Sequence, residues 1–217
     1  MLNSSDTPSF HSFSVVRGDI SDAFVDALEQ ASIGDESLLN ELLQNDSLLS
    51  QMLGEEDCDL SDGRENCSKS DSTLLLVGLT PVNDDGEKIR MPDDNNVRER
   101  LGRYPWGDGN PLSYLRTWSG NPPESEDDIM TLIDKLDEGL FEKTRGHDRF
   151  ENGSFGRLHG ILNNDETSKL EKLLSAGSFK VRADEPLDGG VADIMRHLKT
   201  LVRTAARSGH GLLHFSH

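Results

Sequence analysis

Apolar residues recur at helical spacing along much of this chain, and the densest case is written twice. Ser37-Leu38-Leu39 followed by Leu42-Leu43 returns ten residues later as Ser47-Leu48-Leu49 followed by Met52-Leu53, with Glu36 or Asp46 ahead of each copy. Within a copy the apolar positions fall at i, i+1, i+4 and i+5, one face of a helix. A ten-residue shift turns a continuous helix by about 280°, so the copies do not share a face, although Leu38, Leu42, Leu49 and Leu53 make one seam if the helix runs through. Gln44-Asn45-Asp46 offers a break with Asn45 or Asp46 as a second N-cap, and Gly54 offers a stop. The stripe then has two readings. It packs on its own domain as an amphipathic helix, or it presents Leu39-x-x-Leu42-Leu43 and Leu49-x-x-Met52-Leu53 to a groove on a partner.

The same periodicity predicts further helices. Ile20, Phe24, Leu28 and Ala31 follow capping candidates Asp19 and Ser21, with Gly34 as a stop. Ser125 to Glu138 has a capping Ser125, acidic residues in its first turn and a stripe of Ile129, Leu132, Ile133, Leu136 and Leu140. Asp165 to Ala176 turns Leu170, Leu173 and Leu174 inward before Gly177. Val191 to Arg207 carries a seam of Val191, Ile194, Leu198, Leu201, Val202 and Ala205. Asn110 caps a short helix from Pro111 to Trp118. The run Leu74 to Leu79 is a buried strand or part of a helix, Ile89 to Met91 a hairpin partner, and Phe179 to Val181 a short strand. Tyr104, Trp106, Tyr114 and Trp118, gathered among Gly and Pro, read as a small core more readily than as a recognition surface.

These elements give a mainly α fold with little β, partly disordered, built from short amphipathic helices and a small C-terminal helical module. The expected segments are a flexible Ser/Thr-rich tail over 1–17, an acidic helical segment over 18–54 with the leucine repeat, and an acidic linker over 55–73. A loop-rich central region over 74–150 and a C-terminal module over 151–217 follow, and residues 144–156 read as a loop.

Composition agrees with this and adds a charge pattern. Of the 217 residues, 34% are hydrophobic and 6% aromatic, too few to bury a core along the whole length. Formal net charge is −18, which argues against general nucleic-acid or membrane binding. Residues 1–140 hold 30 Asp and Glu against 10 Lys and Arg, while residues 141–217 hold 10 against 12. In the second part Arg196, Lys199, Arg203 and Arg207 recur at spacings of three and four, a basic stripe with His197 at its edge. The stripe offsets the dipole of its own helix or docks an acidic partner, RNA or the chain's own acidic half.

Chemistry is sparse. No P-loop, dinucleotide glycine pattern, HExxH or nucleophile elbow is present. Two cysteines, Cys58 and Cys67, make neither a disulfide scaffold nor a zinc site. His210, His214 and His217 offer imidazoles at one spacing of four, but their place in the last eight residues reads as a fraying tail. Neither a catalytic residue, a metal site nor a cofactor is expected. Ser32, Ser125, Thr131 and Ser168 have an acidic residue at +3, the pattern of an acidophilic kinase, which is frequent by chance in acidic chains. The N-terminus lacks a basic and then apolar leader, so the expected location is nucleus or cytoplasm.

The reading that follows is a non-enzymatic acidic regulatory or adaptor protein, fitted to transcription regulation. Its protein partner has a hydrophobic groove for Leu38, Leu39, Leu42, Leu43, Leu48, Leu49, Met52 and Leu53. The alternatives are a polymerase cofactor that resembles viral phosphoproteins in organisation, bridging nucleoprotein and polymerase, and a secreted bacterial effector.

Overall fold

A computed structural model describes residues 9–55, 60, 63–89, 101–120, 124–143, 156–176 and 180–217. The fold is mainly helical around one small antiparallel sheet. Three strands make the sheet: β1 (His11–Val16), β2 (Arg157–Leu162) and β3 (Gly211–Ser216), in the order β1-β3-β2. The last strand in the chain is therefore the central one. Its pairing with β1 sets His11 opposite Ser216 and Val16 opposite Gly211, and Phe10 and His217 exchange backbone hydrogen bonds beyond the end of the ladder.

Side chains alternate across this sheet, and each face has its own core. On one face Val15, Leu162 and Leu212 join Tyr104, Tyr114, Leu136, Leu170 and Leu198. On the other, Val16, Leu158, Ile161 and Leu213 join Phe24, Leu28, Leu49 and Leu75. The first core is closed by α5 (Pro111–Trp118), α6 (Glu124–Lys143), α7 (Asn164–Ala176) and α8 (Gly190–Arg207). The second is closed by α1 (Ser21–Ala31), α2 (Ser37–Asn45), α3 (Ser47–Glu55) and α4 (Asp71–Gly78). Leu140, late in α6, packs in the second core and ties the two layers.

Local chemistry explains the helix boundaries. The leucine repeat is broken at Asp46, which accepts a hydrogen bond from the Leu49 amide at 2.8 Å and so caps α3. Arg17 holds the same carboxylate through two contacts at 3.1 and 2.5 Å. Asn110 caps α5 by accepting from the amides of Leu112 and Ser113, with Pro111 at the first position. Asn163 and Glu166 bond each other's backbone amides, a reciprocal cap for α7. Leu74 to Gly78 belong to helix α4, entered through Ser70 and closed by Leu79 at its C-cap, and not to a strand.

Several segments differ from expectation. Residues 11–16, read as part of a tail, are an edge strand, and residues 211–216, read as fraying, are the sheet centre. The acidic segment after residue 55 is also built into the fold where it is described. Arg64 donates to Asp71 at 2.7 Å and to the carbonyls of Cys67 and Lys69, while its amide donates to Glu36. Phe179, Gly177 and Met91 lie outside the described residues, as does the side chain of Ser125. Val181 pairs with Ser119 in a single bridge, and Val82 with Lys88 in another. Tyr104 and Tyr114 are buried in the first core with Trp118 packed against it, while Trp106 is 43% exposed.

Cys67 is disulfide-bonded. The chain's other cysteine, Cys58, lies outside the described residues.

Candidate functional site

Each strand carries one histidine, and the three meet on the same face. His214, at the centre of β3, is fully buried, and His11 on β1 is 4% exposed. His11 pairs with Ser216, two positions along from His214, so strand alternation puts both rings on one side. His159 reaches that side by a different device. Leu158 pairs with Phe215 and Gly160 with His214, which leaves His159 as the extra residue of a β-bulge. A bulge turns two successive residues toward one partner, and here it aims His159 at His214. Gly160 makes room, because a Cβ there would fall on the carbonyl oxygens of Lys135 and Leu136 in α6.

The rings are in contact. His159 stacks on His214 with centroids 4.5 Å apart, and His11 lies 5.1 and 5.2 Å from His214 and His159. One nitrogen from each ring falls within 4.8 Å of the other two. His11 Nδ1 and His214 Nε2 are 2.9 Å apart. His214 Nδ1 faces the Leu136 carbonyl at 3.2 Å, which makes Nδ1 the protonated nitrogen and leaves Nε2 with its lone pair. His159 Nε2 is 2.8 Å from the Ser216 hydroxyl. Phe13 stacks on the His214 ring at 4.8 Å.

The surroundings keep these imidazoles neutral. Burial pushes His11 down to about 4 against the pull of Asp108. Burial also pushes His159 down to about 3, with His11 and Arg157 acting in the same direction. His214 is held well below the usual histidine range by burial, then by His159 and His11. Beside the cluster, Asp137 is 2% exposed. Its Oδ1 accepts from Asn110 at 2.6 Å and Arg116 approaches its Oδ2 at 3.4 Å. Burial raises the Asp137 carboxyl, opposed by the Asn110 bond and Arg116.

A second candidate lies on the outer side of α8. A groove of about 450 Å³ opens between α7, α8 and Val181. Its lining includes the buried Leu174 and Val191, the half-buried Met195, and three cations, the exposed Arg196 and the half-buried Lys199 and Arg203. Arg196 pairs with Asp193 and is 68% exposed, and Arg203 lies 3.7 Å from Glu171. Three of the four residues of the predicted basic stripe are thus brought to one groove. Arg207 sits at the last turn of α8, where its charge favours the helix dipole.

The leucine repeat is divided between core and surface. Leu39, Leu49, Met52 and Leu53 are buried in the second core, and Leu38, Leu42, Leu43 and Leu48 are partly buried against it. Of the predicted terminal histidines, only His214 enters the cluster. His11 and His159 were missed, because their partners are far away in sequence. One signal was available: HSFSVV, RLHGIL and GLLHFS are short runs, half of each Val, Ile, Leu or Phe, and each has a histidine.

Compared with known proteins, the chain matches no family model, no curated protein and no solved structure.

Proposed function

We propose that the protein is a non-enzymatic adaptor that docks an acidic, leucine-bearing helical segment of a partner protein in the groove between α7 and α8. The groove's composition carries this reading: its lining joins the apolar Leu174, Val191 and Met195 to the cations Arg196, Lys199 and Arg203. Leucines of the partner supply buried area, and acidic flanks steer it to the cations. The chain as a whole is strongly acidic, with a net charge of −18, so the basic groove is a local exception that favours a short acidic segment over the dense phosphate charge of nucleic acid.

The test is fluorescence anisotropy with a labelled synthetic peptide, an acidic helix with leucines at i, i+3 and i+4, beside a scrambled control. The combined variant Arg196→Glu, Lys199→Glu, Arg203→Glu is expected to bind at least about tenfold more weakly than the wild type. Wild-type binding is expected to fall as salt rises. Equal binding of the scrambled peptide, or an unaffected triple variant, would overturn the proposal. Selective binding to RNA or to anionic vesicles would do the same.

Among the described residues no helix is long and apolar enough to cross a membrane. The disulfide at Cys67 favours a compartment that sustains disulfides. Protein taken from its native source is expected to resist thiol alkylation until it is reduced. Alkylation without reductant would return it to a reducing compartment.

A further inference from the structure

We infer that His11, His159 and His214 form a three-imidazole binding site for a divalent transition-metal ion of the zinc class. The proposal is independent of the groove on α8. It stands on the convergence of three nitrogens from three strands, with ligand atoms within 4.8 Å of one another. Zinc with imidazole nitrogens at about 2.0–2.1 Å in a tetrahedron places those nitrogens about 3.3 Å apart. His11 Nδ1 and His214 Nε2, at 2.9 Å, already lie close to that spacing.

The direct His11–His214 hydrogen bond is the alternative use of the same nitrogens. On binding, the proton on His11 Nδ1 shifts to its Nε2 by exchange through solvent, so the ring stays neutral, and His11 Nδ1 and His214 Nε2 turn to the ion. His214 is already in the tautomer this needs, since its Nδ1–H donates to the Leu136 carbonyl. A carbonyl behind a ligating imidazole is the usual means of fixing ring orientation. His159 is the adjustable third ligand. It stands on a bulge, it is less buried than the other two, and the Ser216 hydroxyl orients its ring.

The donor set selects the class of ion. Three neutral nitrogens with no thiolate suit zinc, copper, nickel or cobalt and not calcium or magnesium, which prefer oxygen. The nearby Asp137 is an outer group. Its Oδ1 is 3.9 Å from His214 Nδ1, the nitrogen that faces away from the proposed ion. Three protein ligands leave a fourth position for water or another small donor.

The full chain, stripped with a chelator and dialysed, is titrated with zinc against a chromophoric competitor and with cobalt by visible absorption. Expected are one equivalent of zinc, a cobalt spectrum of the tetrahedral type, and a rise in Tm on the order of 5–10 °C at about a hundredfold excess over Kd. His159→Gln is the first variant because its ring is the least buried. It is expected to weaken zinc at least about a hundredfold and leave the Tm of the metal-free chain within a few degrees of wild type. His11→Gln is the second variant. The double variant His210→Gln, His217→Gln controls for the other terminal histidines and should bind as wild type does. Failure of the wild type to take up zinc at micromolar concentration would overturn the site. Undiminished uptake by both His159→Gln and His11→Gln would do so too, as would loss of binding in the terminal control.

Discussion

Removal of residues 210–217 is expected to unfold the protein. These residues look dispensable in the sequence, eight positions at the end of an acidic chain. In the structure they include the central strand, and β1 and β2 touch the sheet only through it. Leu212 and Leu213 are fully buried on opposite faces, one in each core. Burial of two leucines contributes about 3–6 kcal/mol. Each lost ladder hydrogen bond adds ~1 kcal/mol, and more where a buried group is left unpaired. Two ladders are lost together, so the total meets or exceeds the stability of an ordinary domain, about 5–15 kcal/mol. The measurement is circular dichroism melting of the truncated chain beside the full one. The truncated chain should be insoluble, or should melt without a cooperative transition. A cooperative melt within about 5 °C of the full chain would show that β3 does not hold the two layers together.

That strand also shows why the sheet was hard to read. Helices α5 and α8 were legible because each carries its own signals: Asn110-Pro111 at one start, and a six-member apolar seam along the other. Those cues are local. The strands have few of them. Each is six residues long and covered by helices on both faces, so the polar–apolar alternation that marks a half-exposed strand is blurred. GLLHFS at a terminus has the composition of a short apolar tail. Its partners lie about 200 and 50 residues away, and no local pattern encodes such pairings. The imidazole cluster inherits the problem. His210, His214 and His217 are neighbours in sequence, whereas His214 meets rings brought by two other strands. A further obstacle is the bulge, because it puts His159 and Gly160 on one face and breaks the alternation between Leu158 and Ile161. The basic stripe was legible because one helix carries all of it.

The leucine repeat separates core from surface by mutation, and Leu49→Ala is expected to be the most costly change in it. Leu49 is fully buried, in the same core as Phe24 and Leu28. Its side chain and the Phe24 ring leave no space for a Cβ at Gly78, so helices α1, α3 and α4 meet there in close contact. Truncation of a buried leucine costs ~2–5 kcal/mol, because packed neighbours collapse only partly into the space. In a chain of this length each kcal/mol moves Tm by about 2–4 °C, so a fall on the order of 5–15 °C is expected. Leu42, which matches Met52 and not Leu49 in the repeat, is only partly buried. Leu42→Ala should therefore cost less than about 2 kcal/mol. The unequal response of two residues from one repeated motif is the diagnostic. Anchors held out for a partner would give small and similar changes in Tm, with the loss appearing in binding. The groove variants supply the opposite pattern: charge reversal at Arg196, Lys199 and Arg203 should change peptide binding and leave Tm nearly unmoved. If Leu49→Ala leaves Tm within about 2 °C of wild type, the leucine repeat is not holding the second core. The acidic segment would then be free to bind through all eight of its apolar residues.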